Sequence, residues 1–232
     1  MVAGLVKLSR LTDDLRALRT SLAAEIQQTS IVRNRTIGYV ECRDVNHLVK
    51  PSLLRNASSF VLEAFIKHLP EELKPQKVIG VPDRGKEFAN TLGILGDFDM
   101  AVAHREEQSD DSEFVEYDPV KDILTIGGVP SFRKENVTYT HFIRGVRPGD
   151  QVLVADDFSA LGRVSRRYLQ AFREMGIRAA LTFLVAKDFF FLDPPQIGYR
   201  NLLQDGVAAI AVVRFTDIKD GQVIATAEDI HL

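Results

Sequence analysis

The sequence has little of what marks several large classes of protein. Cys42 is its single cysteine, which excludes a disulfide framework and favours a reducing compartment. It has no apolar run long enough to span a membrane, and its first thirty residues carry acids that are not typical of a signal peptide. It also lacks a basic excess, since the net charge is −3, and this argues against a general nucleic-acid-binding protein. We therefore expect a soluble cytoplasmic protein that binds neither membranes nor nucleic acid.

The middle of the chain alternates between strand and helix patterns. Strands are predicted at 77–81, 100–104, 136–142, 152–155 and 179–186, and helices at 8–26, 51–68, 86–95 and 164–175. This alternation is typical of an α/β fold in which a mostly parallel sheet carries helices on both faces. Residues 106–130 have no clear period and predict either a long mobile loop or an irregular hairpin. Residues 207–227 predict a β-hairpin.

The most informative segment is VLVADDFSALGR, residues 152–163. Four apolar residues predict a buried strand, Asp156 and Asp157 follow at its carboxyl end, and a short turn leads into a helix. Ligands of open α/β sheets bind at the carboxyl ends of strands, and a loop that begins a helix offers N–H groups to a phosphate. Carboxylates beside such a loop suit sugar hydroxyls or Mg²⁺. The segment therefore predicts a sugar phosphate or nucleotide ligand, with an ordinary strand–helix turn as the alternative.

A second candidate for ligand binding is GVPDRGKE, residues 80–87. Its spacing is that of a nucleoside-triphosphate-binding loop, but Glu87 occupies the position where that motif needs a hydroxyl for magnesium. We therefore reject the triphosphatase interpretation. What remains is a tight turn in which Gly85 lets the backbone approach an anion, with Arg84 and Lys86 nearby. An ordinary strand–helix turn is again the alternative.

Together the two segments resemble the type I phosphoribosyltransferases, whose signature is an apolar strand, two acids and a phosphate loop. Within that family the likeness is greatest to bacterial xanthine phosphoribosyltransferase and its purine-regulator relatives. Further support comes from VNHLVKP at 45–51, VPSFRKENVT at 129–138 and the strand that ends in Lys187. The resemblance extends from about Asn46 to the C-terminal hairpin.

The resemblance implies a reaction in which a purine base and phosphoribosyl pyrophosphate give a nucleoside monophosphate and pyrophosphate, with Mg²⁺ as cofactor and a homodimer as the assembly. It implies that Asp156 and Asp157 are the catalytic acids that hold the ribose and Mg²⁺, and that Asn46 and Lys187 contact the base. The implied contacts of the 5′-phosphate are Ala160, Leu161, Gly162, Arg163 and Val164. The implied contacts of the pyrophosphate are Asp83, Arg84, Gly85 and Arg105. Because Lys187 offers only donors, it suits an exocyclic oxygen and favours an oxopurine such as xanthine over adenine.

The strand–helix alternation stops at both ends of the chain. We expect one domain over residues 1–232, with a core at about 51–187. Residues of about 30–50 and 188–232 are then predicted to form a small hood over the base site.

Several of these residues have simpler interpretations. Asn46 could be a turn or helix-cap residue, and Lys187 and Arg105 could be solvated strand ends. Arg166 and Arg167 are expected on a solvated helix face. The histidines are scattered without ligand spacing, so no zinc site is expected.

Residues 106–118 depart from the family pattern. The family closes a loop with basic or hydroxyl residues over the pyrophosphate, but here the segment is rich in Asp and Glu and has no Lys or Arg. Acids so placed would repel a polyanion. Two alternatives therefore remain open: a non-catalytic sensor of phosphoribosyl pyrophosphate or a nucleotide, and an orotate or adenine phosphoribosyltransferase. Fewer than fifty residues precede Asn46, too few for a winged helix as well, so a sensor is expected to act through a protein partner.

Overall fold

The computed structural model describes residues 11–46, 50–131 and 136–227. These residues form two compact units that are interleaved along the chain. Unit 1 comprises the described residues within Met1–Leu69, Asp156–Gly162 and Thr182–Leu232, and unit 2 comprises those within Pro70–Ala155 and Arg163–Leu181. None of the described helices is both long and apolar enough to span a membrane.

The strands of unit 2 combine parallel and antiparallel pairing. They are β3 (Lys77–Gly80), β4 (Asp99–Glu107), β5 (Val115–Asp118), β6 (Ile123–Pro130), β7 (Thr138–Arg144) and the first residues of β8 (Gln151–Ser159). Their order is β8, β3, β4, β7, β6, β5. β3 pairs in parallel with both β4 and β8, whereas β4 to β7, β7 to β6 and β6 to β5 are antiparallel.

Two helices cover strands of unit 2. α4 (Gly85–Gly96) packs on β3 and β4, and α5 (Arg163–Glu174) packs on β6. Their apolar residues lie at helical spacing, and Phe88, Leu92 and Tyr168 are fully buried. The short 3₁₀ helix Glu71–Leu73 precedes β3.

Unit 1 contains both ends of the described chain. Its helices are α1 (Asp13–Gln28), α2 (Arg43–Asn46), α3 (Pro51–Ala64) and α6 (Gly198–Gln204), with a 3₁₀ turn at Ile66–His68. β1 (Ser30–Asn34) and β2 (Tyr39–Cys42) form a hairpin. The carboxyl-terminal parts of β8 and of β9 (Arg178–Lys187) also belong to unit 1, and β10 (Ala209–Lys219) and β11 (Gln222–Thr226) follow them in the chain. The order is β11, β10, β9, β8, and α1 packs on β10, β11 and α3.

The predicted α/β fold class is confirmed, with a mixed sheet whose central pairs in unit 2 are parallel. β8 continues beyond its apolar run through Asp157 to Ser159. Of the two interpretations of residues 106–130, the mobile loop is wrong, because β4 extends to Glu107 and β5 and β6 form a hairpin. The single domain with a 51–187 core stays a prediction, and α3 groups with the terminal segments in unit 1.

The expectation that Arg167 lies on a solvated helix face is wrong. Its side chain is buried, its Nε donates to the carbonyl oxygen of Gly127 at 2.8 Å, and its Nη2 donates to that of Phe114 at 2.8 Å. A buried guanidinium needs such acceptors, and the edge of the β5–β6 hairpin supplies them. Arg166 is exposed, as expected.

Candidate active site

Asp156 and Asp157 lie in the part of β8 that belongs to unit 1. Asp157 is buried and Asp156 is partly exposed, because successive side chains of a strand point to opposite faces. The carboxylate of Asp156 accepts from the N–H of Asp157 at 2.9 Å, and that of Asp157 accepts from the N–H of Phe158 at 2.9 Å. Loss of solvation in the fold, and then the neighbouring charge of Asp157, raise the pKa of Asp156 well above its usual value.

This acid pair fits a hard divalent cation. The carboxyl group of Asp156 resists ionisation because it loses solvation in the fold and because a second carboxylate lies next to it. A cation placed between or beside the two carboxylates would stabilise their ionised forms. Within 11–46, 50–131 and 136–227, no three His, Cys, Asp or Glu side chains converge to form a metal cage. Mg²⁺ would therefore be held by one or both carboxylates, with substrate oxygens and water completing its shell, as is usual for this ion.

The predicted phosphate loop follows the acid pair directly. Ala160, Leu161 and Gly162 belong to unit 1, and Gly162 has a left-handed backbone with φ 72°. Arg163 and Val164 are the first residues of α5, and the side chain of Arg163 is exposed. The loop thus leads into the amino end of a 12-residue helix, where N–H groups lack intrahelical partners and the dipole favours an anion.

The phosphate loop is packed against Gly198, a residue that sequence analysis missed. The N–H of Gly198 donates to the carbonyl oxygen of Ala160 at 2.7 Å. A Cβ added to Gly198 would lie 2.3 Å from the nitrogen of Gly162 and 2.3 Å from the carbonyl carbon of Leu161. The available signal was a glycine at the start of the short helical pattern that forms α6.

Lys187, the predicted base contact in unit 1, is not a solvated strand end. It is the last residue of β9 and is only 8% exposed. Its Nζ donates to the carbonyl oxygen of Gly38 at 2.8 Å and lies 5.6 Å from the ring centroid of Phe158. Burial lowers the pKa of Lys187 to about 8, while the charges of Cys42 and Asp157 act in the opposite direction. Lys187 is therefore a buried ammonium beside the acid pair.

The turn between β1 and β2 positions Lys187. Gly38 has φ 61°, and a Cβ at this position would lie 2.5 Å from a side-chain methyl of Leu192. Glycine is needed both for the left-handed backbone and for this close approach. Asn46, the other predicted base contact, is the last residue of α2, but its side chain and residues 47–49 lie outside the described part of the chain.

The GVPDRGKE segment forms the predicted tight turn in unit 2. The N–H of Gly85 donates to the carbonyl oxygen of Val81 at 3.1 Å, and α4 begins at Gly85. A Cβ added to Gly80 would lie 2.6 Å from the Cα of Lys86 and 2.7 Å from the oxygen of Gly85. Gly80, which was absent from the predicted site, is therefore required for the close approach of strand and helix.

Asp83, Arg84 and Arg105 belong to the predicted pyrophosphate site in unit 2. The carboxylate of Asp83 forms an ion pair with the guanidinium of Arg105, which also stacks on Tyr139 at 4.2 Å from the ring centroid. Asp83 has a left-handed backbone with φ 79°, which is uncommon for a residue other than glycine. Arg84 is the residue before α4. The structure brings Asp83 and Arg105 together, but as partners of each other.

The acidic segment 106–118 is ordered by backbone pairing and by hydrogen bonds of its own side chains. Glu106 and Glu107 pair with Thr140 and Tyr139 in the β4–β7 ladder. Asp110 accepts from the hydroxyl and the N–H of Ser112 and from the side-chain amide of Gln108, and these hydrogen bonds, led by the Ser112 hydroxyl, lower its pKa to about 2. The segment thus comprises the end of β4, a turn and β5 rather than a long loop.

Comparisons with known proteins agree with this fold. No family model matches the chain. A xanthine phosphoribosyltransferase from Streptococcus gordonii is 32% identical over 99 residues, which cover 41% of this chain and 48% of that protein, so the match spans about half of the relative. An adenine phosphoribosyltransferase from Rhodothermus marinus has a TM-score of 0.55 at 20% identity, covering 84% of this chain and 98% of that one.

A second solved structure shares the same fold. It is an adenine phosphoribosyl transferase from Trypanosoma brucei in complex with AMP, pyrophosphate and ribose-5-phosphate, with a TM-score of 0.56 at 13% identity, covering 88% of this chain and 82% of that one. The architecture is thus that of the phosphoribosyltransferases. The shared fold and the partial sequence match confirm the resemblance to phosphoribosyltransferases that the sequence predicted.

Proposed function

We propose that the chain is an oxopurine phosphoribosyltransferase, which transfers the phosphoribosyl group of phosphoribosyl pyrophosphate to a xanthine-like base and releases pyrophosphate. The observation that carries this proposal is the buried ammonium of Lys187 beside the acid pair in unit 1. A buried ammonium with three donors and no acceptor suits the exocyclic oxygen of an oxopurine. The amino group of adenine would give it no acceptor at that position.

In unit 1, we assign Asp156 and Asp157 to the ribose hydroxyls, directly or through Mg²⁺. The N–H groups of residues 160–164 are assigned to the 5′-phosphate, because backbone donors at the start of a helix bind phosphate without a sequence-specific side chain. The reacting ribose carbon becomes cationic in the transition state, and the carboxylates then stabilise the positive charge that develops on the sugar. Bound Mg²⁺ would supply charge neutralisation for the leaving pyrophosphate.

In unit 2, we assign the turn Asp83–Gly85 and Arg105 to the pyrophosphate. The guanidinium of Arg105 offers planar paired donors that match phosphate oxygens. Stacking on Tyr139 restricts its orientation, so less conformational entropy is lost when an anion binds. Catalysis on this proposal depends on positioning and on stabilisation of the leaving group.

A product assay tests the proposed function. The full chain is incubated with phosphoribosyl pyrophosphate, Mg²⁺ and, separately, xanthine, guanine, hypoxanthine, adenine and orotate, and nucleoside monophosphate and pyrophosphate are measured together. We expect product with an oxopurine and little with adenine or orotate. Product mainly from adenine or orotate would contradict the assignment of Lys187 to an exocyclic oxygen.

The second candidate function is a sensor that binds phosphoribosyl pyrophosphate without turnover. It is favoured by the acidic segment 106–118, which has no basic residue to offer a leaving pyrophosphate. Arg167 also holds the adjoining β5–β6 hairpin through the carbonyls of Phe114 and Gly127. Saturable binding of phosphoribosyl pyrophosphate without product from any base would establish this candidate in place of the enzyme.

The kcat/KM for an oxopurine base should decline as pH rises through about 8. The pKa of Lys187 is lowered from 10.5 to about 8, so its ammonium is present below that pH and is lost above it. Cys42, whose pKa burial raises to about 12, remains a neutral thiol throughout this range. Loss of one charge-assisted hydrogen bond corresponds to a decrease of about tenfold in kcat/KM for the base. The measurement is the pH profile of kcat/KM for the oxopurine.

The Lys187→Met variant separates this effect from ionisation of the base itself. The ratio of wild-type to variant kcat/KM cancels the titration of the base, and we expect that ratio to fall above pH 8. Lys219→Met is the matched control, since Lys219 is an exposed lysine of unit 1, and it should retain the wild-type profile. A ratio that does not change with pH would contradict a contact between the Lys187 ammonium and the base.

The homodimer expected from the resemblance is also a proposal. Its support is an exposed apolar surface in unit 2 formed by Ile94, Leu95, Met100 and Val102. A Cβ added to Gly93 would lie 2.5 Å from Cγ of Met100, so α4 and β4 meet within this surface. Contiguous exposed apolar residues are typical of protein contacts, and we propose that a second copy of the chain covers them.

A further inference from the structure

The ion pair between Asp83 and Arg105 has a consequence for anion binding in unit 2. Arg105 lies on β4 and Asp83 lies in the turn between β3 and α4, so the pair joins the two elements that the proposed pyrophosphate site requires. The side chain of Asp83 is about half exposed, and that of Arg105 is 26% exposed. Both groups are therefore accessible to a ligand from solvent.

Asp83 is an unusual residue at its position. Its φ of 79° lies in the left-handed region, which glycine and asparagine adopt more readily than most residues. Its carboxylate also carries the same sign of charge as the ligand that the turn is proposed to bind. A phosphate-binding turn gains nothing directly from an acid, because a carboxylate repels phosphate oxygens at short range.

We propose that Asp83 is an internal counter-anion that occupies Arg105 until pyrophosphate displaces it. This proposal rests on the proposed function and concerns the same turn. The carboxylate accepts the donors of Arg105 that phosphate oxygens would otherwise use. Each binding event must therefore break the ion pair, and each release of pyrophosphate restores it. Asp83 thereby weakens the hold of the site on pyrophosphate and favours its release.

A purely structural role for the ion pair predicts a different outcome. If Asp83 only fixed the turn, its removal would loosen the anion site and weaken binding. If it competes for Arg105, its removal frees the guanidinium and strengthens binding. The Asp83→Asn variant distinguishes the two, because asparagine tolerates the left-handed backbone while it removes the negative charge.

The experiment is calorimetric titration of the full chain with inorganic pyrophosphate in the absence of added Mg²⁺, so that carboxylate and anion compete directly. We expect Asp83→Asn to bind pyrophosphate about fivefold more tightly, the upper end for a partly exposed ion pair. In an Arg105→Gln background, the same substitution should give little or no gain, since the group for which the two anions compete is gone. This double-mutant cycle isolates competition for Arg105 from general charge repulsion.

Asp122→Asn is the matched control. Asp122 is also a left-handed aspartate, with φ 53°, and it is paired with an arginine of unit 2, Arg147, at 3.0 Å. Its substitution should leave pyrophosphate affinity unchanged. An unchanged or weaker affinity in Asp83→Asn, or an equal gain in the Arg105→Gln background, would overturn the proposal. So would an absence of pyrophosphate binding by both the wild type and Asp83→Asn.

The titration and the product assay fail independently. Product formation combined with an unchanged pyrophosphate affinity in Asp83→Asn would support the proposed function and contradict the counter-anion role of Asp83. A fivefold gain in pyrophosphate affinity that depends on Arg105, combined with no product from any base, would contradict the proposed enzyme activity. It would still support Asp83 as a counter-anion, in a protein that binds anions without turnover.

Discussion

Replacing Asp156 and Asp157 together by asparagine is expected to weaken the binding of phosphoribosyl pyrophosphate in the presence of Mg²⁺ by at least about tenfold. Asparagine keeps the shape of each side chain but removes the charge that would hold the metal ion and strengthen the hydrogen bonds to ribose. Charge-assisted hydrogen bonds contribute roughly 1.5–3 kcal/mol each, so the loss of one is sufficient for a tenfold effect. Titration calorimetry with phosphoribosyl pyrophosphate and Mg²⁺ measures the change.

Replacing Asp156 alone by asparagine is expected to stabilise the ligand-free protein, although it removes a proposed ligand contact. Because the pKa of Asp156 is raised in the folded state, folding disfavours its ionised form. The resulting penalty is absent at low pH, grows as pH rises above the unfolded pKa, and is fully present above the folded pKa. Asp156→Asn should therefore raise the melting temperature above the folded pKa of Asp156 and not at low pH. Thermal unfolding at two pH values measures this difference.

A matched pair of aspartates provides the control for the affinity measurement. Asp13 and Asp14 are also adjacent and lie in unit 1, but they stand exposed in the first turn of α1. Their double replacement by asparagine should leave the affinity for phosphoribosyl pyrophosphate unchanged. If Asp156→Asn combined with Asp157→Asn behaved like this control, the interpretation of β8 as the ligand-binding strand would be wrong.

Local pattern was sufficient to predict the elements that carry the acid pair and the phosphate loop. An apolar run followed by two acids and a glycine turn predicted both β8 and α5, and α5 begins within one residue of its expected start. Such motifs are contiguous in sequence, and their chemistry follows from neighbouring residues. The end of β8 was less predictable, because Asp156 and Asp157 continue the strand that their polarity would be expected to end.

Long-range contacts explain the features that the sequence did not predict. Lys187 is buried because it reaches the carbonyl of Gly38, a residue 149 positions earlier. Arg167 is buried because its acceptors lie on the β5–β6 hairpin, 40 and 53 positions earlier. A charged side chain on a helix or strand end is usually solvated, and only the tertiary partner reverses that expectation.

The acidic segment was ambiguous for a different reason. Exposure alternates along β4, where Ala101, Ala103 and Arg105 are less exposed than their neighbours, but the larger apolar residues Met100 and Val102 lie on the exposed face. Because apolar residues occupy both faces, the period-2 signal that identifies a strand is weak in the sequence. Pairing with β7 through the backbone then decides the structure, and backbone pairing leaves no mark in the sequence.

The close packing of Gly198 on the phosphate loop predicts the second large effect. Gly198→Ala would place a Cβ 2.3 Å from the nitrogen of Gly162 and 2.3 Å from the carbonyl carbon of Leu161, and these are backbone atoms that cannot rotate away. Either the loop or α6 must shift, and overpacking of this kind costs about 1–3 kcal/mol. Because the proposed phosphate contacts are backbone N–H groups, a displaced backbone loses several of them together. We expect phosphoribosyl pyrophosphate affinity to fall by about tenfold or more, measured by titration calorimetry.

The control for Gly198→Ala is Gly206→Asn. Gly206 lies in unit 1 beyond the end of α6, has φ 76°, and has open space where a Cβ would be added. Asparagine tolerates this backbone, so the substitution tests whether any change near α6 weakens binding. We expect it to leave affinity unchanged, and we expect Gly198→Ala to lose affinity while its thermal unfolding stays cooperative. Full affinity in Gly198→Ala would show that the phosphate does not depend on the backbone geometry of residues 160–162, and the phosphate would then have to be assigned to side chains such as Arg163.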